Sequence, residues 1–306
     1  MPLAAKADLP AAICLAGPTG SGKTGFAIAL AQRLGCEIIN ADSRQIYADF
    51  PIITAQPGEK ELAACPHHLY GFLATGEKLS AGQWAQLAAS KCREIAGRGK
   101  IPLLVGGTGF YFAALLEGLA DIPPVPPEIA AALAERMQAE GPAEMHAALA
   151  ATDPVYAARI HPGDRQRILR ALEVWQATGK PFSWWHEHAQ RRPLAAGPLF
   201  SFNVSLAWLE PRLAARIGRM VSAGALAEAA AAQAAQAQGP GWSGIGCREL
   251  ADYFAGAIDW QECLRRWLAN TRAYAKRQLT WFRSRKNVIW ISPGDQARVC
   301  AALAVM

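Results

Sequence analysis

A short glycine-rich loop near the start of the chain constrains the fold more than any other stretch. Its eight residues fit the pattern G-x-x-x-x-G-K-[ST], and they are Gly17, Pro18, Thr19, Gly20, Ser21, Gly22, Lys23 and Thr24. Glycines permit a tight turn whose backbone N–H groups face anionic oxygens, the lysine adds a positive charge, and the threonine hydroxyl suits Mg²⁺. A short apolar run, 12–16, precedes this phosphate loop, and a helical pattern that ends at Gly35 follows it. The strand–loop–helix unit therefore predicts a site for a di- or triphosphate.

The stretch after the phosphate loop continues the alternation of strand and helix. Apolar runs at 36–40 and 101–105 predict two buried strands, residues 67–73 suit a further strand, and 80–96 predict a helix with Ser80 as its N-cap. Between the first two of these, residues 50–66 are expected to be irregular. Such alternation is typical of a parallel α/β sheet flanked by helices, as in the phosphate-loop NTPases.

A proline-rich break at 122–127 ends this alternation. The chain then has a helical pattern from 128 to 177, and Asp164 is a good N-cap for the last of these helices. The elements expected after this region are a strand at 199–209, helices at 223–238 and 260–285, and a strand at 288–291. We therefore expect an α/β core made of residues 1–120 and 199–306, and an all-helical insertion at 121–198.

Composition limits the class of protein and of partner. The chain is 52% hydrophobic and 18% charged, as in globular proteins, and its net charge of +6 permits a polyanionic partner without requiring one. Seven scattered cysteines without C-x-x-C spacing predict reduced core thiols and no zinc site. The N-terminal segment lacks the apolar region of a secretion signal, and no apolar run is long enough to span a membrane. We therefore expect a cytoplasmic protein with no membrane contact.

Three groups of basic residues are candidates for contact with a polyanion or a phosphate. Residues 265–286 contain eight basic side chains and no acidic ones, and at about 100° per residue four of the eight lie within roughly 20° of one line along a helix: Arg265, Arg272, Lys276 and Arg283. The opposite face of that helix carries three aromatic residues that we expect in the core: Trp267, Tyr274 and Trp281. The second group lies in the insertion: Arg159, His161, Arg165, Arg167 and Arg170. The third is the i, i+4 pair Arg212 and Arg216, whose spacing suits a diphosphate clamp and, nearly as well, a salt-bridged surface.

Polar residues follow two predicted strands at their carboxyl ends, where α/β sheets place their sites. Asp42 follows strand 36–40 and is either a cap of the next segment or a general base or magnesium ligand. Strand 101–105 lacks the terminal aspartate of an ordinary ATPase, and the segment 106–109 (GGTG) stands there instead. This favours a site where the Thr108 hydroxyl contacts a phosphate ester oxygen over one that transfers phosphate.

Eight motifs follow one another from the first strand nearly to the end of the chain. They are GPTGSGKT (17–24), DSRQIY (42–47), TAQP (54–57), PHHL (66–69), GGTGFY (106–111), HPGDRQRILRALEV (161–174), IGCREL (245–250) and TRAYAKRQLTWFR (271–283). Together they resemble the tRNA dimethylallyltransferases, and they are far more specific than the phosphate loop alone. The resemblance implies transfer of a dimethylallyl group from its diphosphate to N6 of the adenosine on the 3′ side of the anticodon, tRNA position 37.

The resemblance also implies roles for matching residues. Asp42 would accept a proton from the adenine amine, and Thr108 would hydrogen-bond the bridging oxygen of the leaving diphosphate. The residues implied in stabilising the rest of that charge are Lys23, Thr24 with Mg²⁺, Arg212 and Arg216. Those expected to contact tRNA are Asp42, Ser43, Arg44, Gln45, Gln166, Arg167, Ile168, Leu169, Arg170, Gly246, Cys247, Arg248, Glu249, Arg272 and Lys276. The phosphate loop would hold dimethylallyl diphosphate, the insertion would hold the anticodon stem-loop, and a monomer is expected.

The chain departs from the family's usual residues at four places: Arg44 replaces Met, Gln56 replaces Lys, Cys247 replaces Tyr, and Tyr70-Gly71 stands where Ile-Asp is frequent. None of these changes removes a residue with an implied catalytic role, so we expect an active enzyme. Two alternatives remain. The same fold with a free adenine nucleotide as acceptor leaves the insertion and the basic helix unexplained. A phosphate-loop kinase or RNA-binding NTPase conflicts with the missing aspartate after strand 101–105.

Overall fold

The computed structural model describes residues 9–295 together with 297 and 299, and within them six parallel strands form one sheet. The strands are β1 (Ile13–Ala16), β2 (Cys36–Asn40), β3 (His67–His68), β4 (Ile101–Gly106), β5 (Leu199–Phe202) and β6 (Val288–Ile291), in the spatial order β3-β2-β4-β1-β5-β6. Ala16 pairs with Gly106 and Asn40 with Val105, so the carboxyl ends of β1, β2 and β4 meet at one edge. The segments that follow these strands carry the motifs of the phosphate loop, Asp42 and Thr108.

Twelve helices lie within the described residues. They are α1 (Lys23–Leu34), α2 (Glu59–Ala64), α3 (Ala81–Gly97), α4 (Gly109–Leu116), α5 (Pro127–Thr152), α6 (Pro154–Ala157), α7 (Arg165–Thr178), α8 (Phe182–His188), α9 (Leu206–Ser222), α10 (Ala225–Ala234), α11 (Cys247–Phe254) and α12 (Trp260–Arg283). Helix α5 is kinked at Gly141, whose φ of 84° is not helical. The chain divides into two compact units, one made of 1–117 and 193–306 and the other of Gly118–Arg192.

The larger unit contains the sheet and two apolar clusters. In the first, α1, α9 and α12 contribute Phe26, Leu213 and Leu279 to a core shared with the strands. In the second, α9 to α12 enclose the segment after β2, with Trp267 of α12 only 2% exposed. The two clusters fix α9 and α12 above the carboxyl edge of the sheet.

The smaller unit, Gly118–Arg192, contains α5 to α8 and its own core. Leu149 of α5 and Ile168 of α7 are completely buried there. Asp153 is 1% exposed, and its carboxylate accepts a hydrogen bond from the Tyr156 backbone N–H at the start of α6. The same carboxylate accepts bonds from the N–H and hydroxyl of Ser183 in α8, so one buried side chain joins two helices.

Several expected element boundaries are confirmed. The glycine after α1, Gly35, has φ 68°, and Ser80 caps α3 by accepting a bond from the Gln83 N–H. Asp164 caps α7 in the same way, and Gly179 ends that helix with φ 66°. These boundaries depend on contacts between residues that are close in the chain, so a local sequence pattern is enough to predict them.

Other expected boundaries are wrong. The strand expected at 67–73 is continuous only at His67–His68, because Leu69 and Gly71 both have positive φ and turn the chain away; Leu73 then forms a single bridge with Tyr47. The strand expected at 199–209 ends at Phe202, and Ser205 caps the start of α9. Helices α2 and α8 were not expected; in α2, Glu61 accepts a bond from the Gly58 N–H and closes its first turn.

The helices and the cysteines can each be compared with the expectations from the sequence. None of the helices in the described residues combines the length and the apolar character that a membrane crossing requires. Cysteines 14, 36, 65, 92, 247 and 263 are buried, as expected for core thiols, whereas Cys300 and the first eight residues, on which the signal-sequence expectation depends, lie outside the described residues.

Candidate active site

A cleft of about 800 Å³ lies above the phosphate loop at the carboxyl edge of the sheet. We call it the phosphate cleft. Among the residues that line it are Thr19, Gly20, Gly22, Lys23, Thr24, Asp42, Gln45, Gly106, Arg212, Arg216 and Arg219. The structure thus brings together the phosphate loop, Asp42 and the arginine pair on α9, which are far apart in sequence. Arg219, one turn beyond Arg216, adds a cation that the motif resemblance did not point to.

The phosphate loop adopts the turn that its glycines permit. Gly20 and Gly22 have φ of 79° and 88°, values that side chains with a Cβ rarely adopt, and α1 begins at Lys23. The Lys23 ammonium donates to the Pro18 carbonyl at 2.8 Å across the loop. Burial lowers the pKa of Lys23 to about 8, with the Asp42 charge acting in the opposite direction. The Lys23 ammonium is therefore held against the backbone of the loop, where it lines the phosphate cleft.

Gln278 of α12 braces the phosphate loop. Its Oε1 accepts a bond from the Thr19 N–H at 2.9 Å, and its Nε2 donates to the Gly107 carbonyl at 3.0 Å. Gly107 has no room for a Cβ, which would lie 2.0 Å from Nε2 of Gln278. The motif 271–283 contains Gln278 but implied no role for it, because its partners lie far away in the chain.

Not every residue of the loop faces the cleft. The Ser21 side chain is buried, 1% exposed, and its N–H donates to the Pro18 carbonyl. Gly17 and Pro18 form the first part of the turn beside Phe202 and Lys23. The loop residues that line the cleft are Thr19, Gly20, Gly22, Lys23 and Thr24.

The arginine pair on α9 has two different environments. Arg216 donates from Nη2 to the Thr54 carbonyl at 3.3 Å, and burial lowers its pKa while the Asp42 charge opposes that change. Arg212 is exposed, and its guanidinium lies 4.0 Å from the centre of the Trp208 ring. Arg216 is thus a partly desolvated cation beside Asp42, whereas Arg212 lies at the rim of the cleft.

Asp42 lies between two cavities. One of its carboxylate oxygens, Oδ1, accepts a bond from the Arg44 N–H at 2.9 Å, which leaves Oδ2 for a ligand. Besides the phosphate cleft, Asp42 lines a smaller cavity of about 250 Å³, which we call the side pocket. The two cavities share Thr19, Asp42, Arg216 and Met220. Asp42 is therefore both a cap, as one expectation held, and the carboxylate at the junction of two cavities.

The side pocket is mostly apolar. Its walls include Ile53, Ile217, Ile245, Trp267 and Tyr274, and its polar members include Arg44 and Arg277. Tyr274 was expected in the core, but it is only half-buried and faces this pocket, because α12 passes over the carboxyl edge of the sheet. The pocket offers an apolar volume beside the Asp42 carboxylate.

Thr108 lies next to Ser43. Its Oγ1 accepts a bond from the Ser43 N–H at 2.9 Å and donates to the Ser43 Oγ at 3.2 Å. The glycines on both sides of Thr108 pack against α12, since a Cβ on Gly109 would lie 2.1 Å from the Trp281 ring. The geometry places the hydroxyls of Thr108 and Ser43 together, one residue from Asp42.

The two residues after Ser43 do not extend freely into a cavity. The Arg44 guanidinium donates from Nη2 to the carbonyls of Pro240 and Gly241, both at 2.8 Å. Gln45 donates to the carbonyls of Thr54 and Ala55 at 3.0 and 2.5 Å. Their expected contacts with RNA are therefore limited to the atoms that these bonds leave available.

The expected RNA-contacting segment 246–249 is mostly internal. The Glu249 carboxylate accepts bonds from the Gly246 N–H and from Asn270, both at 2.6 Å, and Cys247 is 1% exposed. A Cβ on Gly246 would lie 2.7 Å from Ile53, so the glycine serves packing. The expectation is wrong for the side chains of Cys247 and Glu249, and only Arg248 of this segment is exposed.

The line of basic residues on α12 is partly compensated by acids that lie outside the stretch 265–286. Arg265 pairs with Glu262 at 2.5 Å, and Arg272 pairs with Glu210 of α9 at 3.1 Å. Among the described residues no carboxylate forms an ion pair with Lys276, which is exposed. The stretch 265–286 contains no acid, but Glu262 and Glu210 lie outside it and pair with Arg265 and Arg272, two of the four cations expected to face a polyanion.

The expected RNA-contacting segment of the insertion, 166–170, lies in the first turns of α7. Gln166, Arg167 and Arg170 are exposed, whereas Ile168 is completely buried and Leu169 is half-buried. The expectation is wrong for Ile168, whose side chain belongs to the core of the smaller unit. A helix that buries one face can present to RNA only the residues of the other.

The donor set of the phosphate cleft fits Mg²⁺ better than a transition metal. No group of three His, Cys, Asp or Glu side chains within the described part of the chain is placed to hold a metal ion. The Thr24 hydroxyl and the Asp42 carboxylate line the same cleft. One or two protein oxygens with substrate phosphates are the usual ligands of Mg²⁺ in proteins.

Comparison with known proteins identifies the family. The family model described as IPP transferase matches residues 45–285, and one described as isopentenyl transferase matches 11–70. A tRNA dimethylallyltransferase of Desulfovibrio desulfuricans is 58% identical over 96% of this chain and 91% of its own length. The solved structure of a tRNA isopentenylpyrophosphate transferase from Bacillus halodurans shares the fold: it is 30% identical, with a TM-score of 0.71, and the match covers 97% of this chain and 96% of that one. A eukaryotic dimethylallyltransferase acting on tRNA also shares the fold. It is 27% identical, with a TM-score of 0.79, and the match covers 94% of this chain and 74% of that one. The chain therefore belongs to the IPP transferase family.

Proposed function

We propose that the chain is a tRNA dimethylallyltransferase. It transfers the dimethylallyl group of dimethylallyl diphosphate to N6 of the adenosine at tRNA position 37. The observation that carries this proposal is the position of Asp42, whose carboxylate lines both the phosphate cleft and the side pocket. A base at the junction of two cavities is placed to act between a donor in one and an acceptor in the other.

The phosphate cleft holds the donor. Its cations, Lys23, Arg212 and Arg216, and the N-terminus of α1 surround a site suited to a diphosphate. Thr24 would hold Mg²⁺ together with the donor's phosphate oxygens, and the ion would neutralise part of the leaving group's charge. The whole cleft thus stabilises charge that grows as diphosphate departs.

The side pocket receives the adenine. A base inside the anticodon loop must leave its stack to reach a buried carboxylate, and the apolar walls of the pocket suit a base ring. The N6 nitrogen attacks the allylic C1 of the donor, the C1–O bond breaks, and the bonding pair leaves with diphosphate. Asp42 accepts the proton that N6 loses. The Thr108 hydroxyl exchanges its bond to Ser43 for the bridging oxygen of the leaving group.

Exposed cations on both units contact the RNA backbone. In the insertion, 121–198, they are Arg167 and Arg170 with the neighbouring Gln166, and in the core they are Arg248, Arg272 and Lys276. Contacts of this kind position an RNA through its shape and phosphates rather than its sequence. The enzyme acts as a monomer in the cytoplasm, where tRNA is available.

Replacement of the base tests this function. Asp42→Asn keeps the acceptor for the Arg44 N–H but cannot accept the N6 proton, so we expect turnover to fall by about 10²–10⁴. Turnover is measured as transfer of labelled dimethylallyl to an anticodon stem-loop, and the product nucleoside is identified by mass. Binding of the RNA should stay within about threefold of the native value.

Two controls make the result specific. Asp252→Asn changes an exposed carboxylate on α11, 3.7 Å from Arg266, and should leave turnover unchanged. AMP added as a competing acceptor should not be prenylated. Full turnover by Asp42→Asn would overturn the role of Asp42, and preferential prenylation of AMP would replace tRNA as the acceptor.

A further inference from the structure

The Ala-rich helix α10 carries one carboxylate, Glu228, that is directed at the backbone of another segment. Its Oε2 accepts a bond from the Ile52 N–H and its Oε1 from the Ile53 N–H, both at 2.8 Å. Helix α10 approaches closely because Ala225 and Ala229, on the same face, are completely buried. Nothing in the catalytic proposal uses this carboxylate.

The segment 50–56, which we call the cleft turn, needs such a partner. The Thr54 N–H donates to the Phe50 carbonyl and the Gln56 N–H to the Pro51 carbonyl, so the segment forms one hydrogen-bonded turn. The first N–H groups of such a turn have no partner within it, as at the start of a helix. Glu228 satisfies both of these groups from a different helix, as an N-cap does locally.

The cleft turn forms part of both cavities. Ile53 and Thr54 line the side pocket, and Ile52 lines the phosphate cleft. The Thr54 carbonyl accepts bonds from Arg216 at 3.3 Å and from Gln45 at 3.0 Å. A shift of the turn would therefore move the atom that holds Arg216 beside Asp42.

We propose that Glu228 is a positioning residue for the transfer reaction, because it fixes the cleft turn whose Thr54 carbonyl orients Arg216 toward the leaving diphosphate. This inference rests on the proposed function, in which Arg216 binds the donor. Burial raises the pKa of Glu228, while its bonds from Ile53 and Ile52 lower it. Burial thus disfavours the charged form of Glu228, and the N–H groups of Ile52 and Ile53 stabilise that form by donating to it.

Glu228→Gln tests the inference with little change of size. The amide turns one acceptor into a donor that faces a backbone N–H, so the turn loses one bond and gains a repulsive contact. We expect the KM for dimethylallyl diphosphate to rise about tenfold while the Kd for an anticodon stem-loop stays within about twofold. Gln233→Ala, at an exposed position of the same helix, should leave both values unchanged. Glu228→Asp keeps the charge and should restore part of the affinity for the donor.

A double-mutant cycle separates positioning from general loss of structure. Glu228 acts through Arg216, so Glu228→Gln should have no further effect on the donor KM in an Arg216→Ala background. Full additivity of the two changes, or an unchanged KM in Glu228→Gln, would overturn the inference alone. An unchanged KM in Arg216→Ala would overturn the proposed diphosphate site, and this inference with it. Thermal unfolding is followed for each variant. If Glu228→Gln does not fold, the double-mutant cycle with Arg216→Ala is measured with Glu228→Asp instead.

Discussion

Lys23 is the residue in which burial and chemistry are most closely linked. Burial lowers its pKa to about 8, the Asp42 charge acts against this, and the ammonium donates to the Pro18 carbonyl. The charged form is the one that binds diphosphate. The contribution of the Lys23 charge to diphosphate affinity is therefore complete well below pH 8, and it is lost as the pH rises through about 8.

We therefore expect the affinity for inorganic diphosphate to weaken by up to about tenfold per pH unit above the pKa of Lys23. Calorimetry at pH 7 and 9, in two buffers that differ in ionisation enthalpy, measures both the Kd and the proton taken up on binding. Lys23→Arg stays charged throughout this range, so its Kd should change only as the ligand's own ionisation requires. The same pH dependence in both proteins would exclude Lys23 as the titrating group.

At the residue scale, the sequence predicted the parts of the candidate site that follow directly from neighbouring strands. Asp42 and Thr108 come together because β2 and β4 are adjacent and parallel, so the residues after them share one edge. Gln278 could not be predicted, because it is 171 residues from Gly107 and no local pattern marks a polar residue inside an aromatic helix face. Arg44 was expected to face RNA, but two carbonyls of a distant loop hold it.

At the element scale, single aspartates fix the helices of the smaller unit, and their burial differs. Asp153 is 1% exposed and receives bonds from Tyr156 and from both donors of Ser183. Asp164 also caps a helix, α7, but it is half-buried and accepts only the Arg167 N–H, at 3.2 Å, with a weak ion pair to the same residue. Asp153 and Asp164 are therefore two aspartate caps that differ in burial, so the effect of burial on the stability that a cap contributes can be measured.

We expect Asp153→Ala to lower the free energy of unfolding by about 2–4 kcal/mol, because it removes a cap and leaves buried donors unpaired. Asp164→Ala should cost about 1 kcal/mol, as is usual for an exposed cap. Chemical denaturation followed by tryptophan fluorescence measures both, with Trp184 and Trp185 as reporters in α8. Equal losses in the two variants would show that the bonds of Asp153 to α8 add nothing to stability.

Element boundaries were predictable where a local signal decides them. Gly35, Ser80 and Asp164 mark ends or starts of helices through their own backbone or side-chain geometry. Strand lengths are set instead by the partner strand, which no local pattern contains. Residues after His68 have strand-like character, but β2 ends at Asn40, the chain turns at Leu69 and Gly71, and only Leu73 pairs again, with Tyr47 beyond the end of β2. The same reason shortens the strand expected at 199–209.

At the scale of the whole molecule, the net charge of +6 matters through its distribution. Some arginines are compensated locally: Arg265 and Arg266 both pair with Glu262. Lys276 is an exposed residue of α12, and no carboxylate among the described residues forms an ion pair with it. Uncompensated cations are the ones that release counterions when they meet RNA phosphates.

The salt dependence of RNA binding distinguishes these two kinds of cation. A plot of log Kd against log salt for an anticodon stem-loop should lose about one unit of slope in Lys276→Ala, because one phosphate contact is removed. Arg265→Ala should change the slope little, since Glu262 keeps its pair with Arg266 at 2.7 Å. Equal slopes for the native protein and Lys276→Ala would exclude Lys276 from the RNA contact. A full unit lost in Arg265→Ala would show that RNA displaces Glu262, and the ion pairs of α12 would then be part of the binding surface.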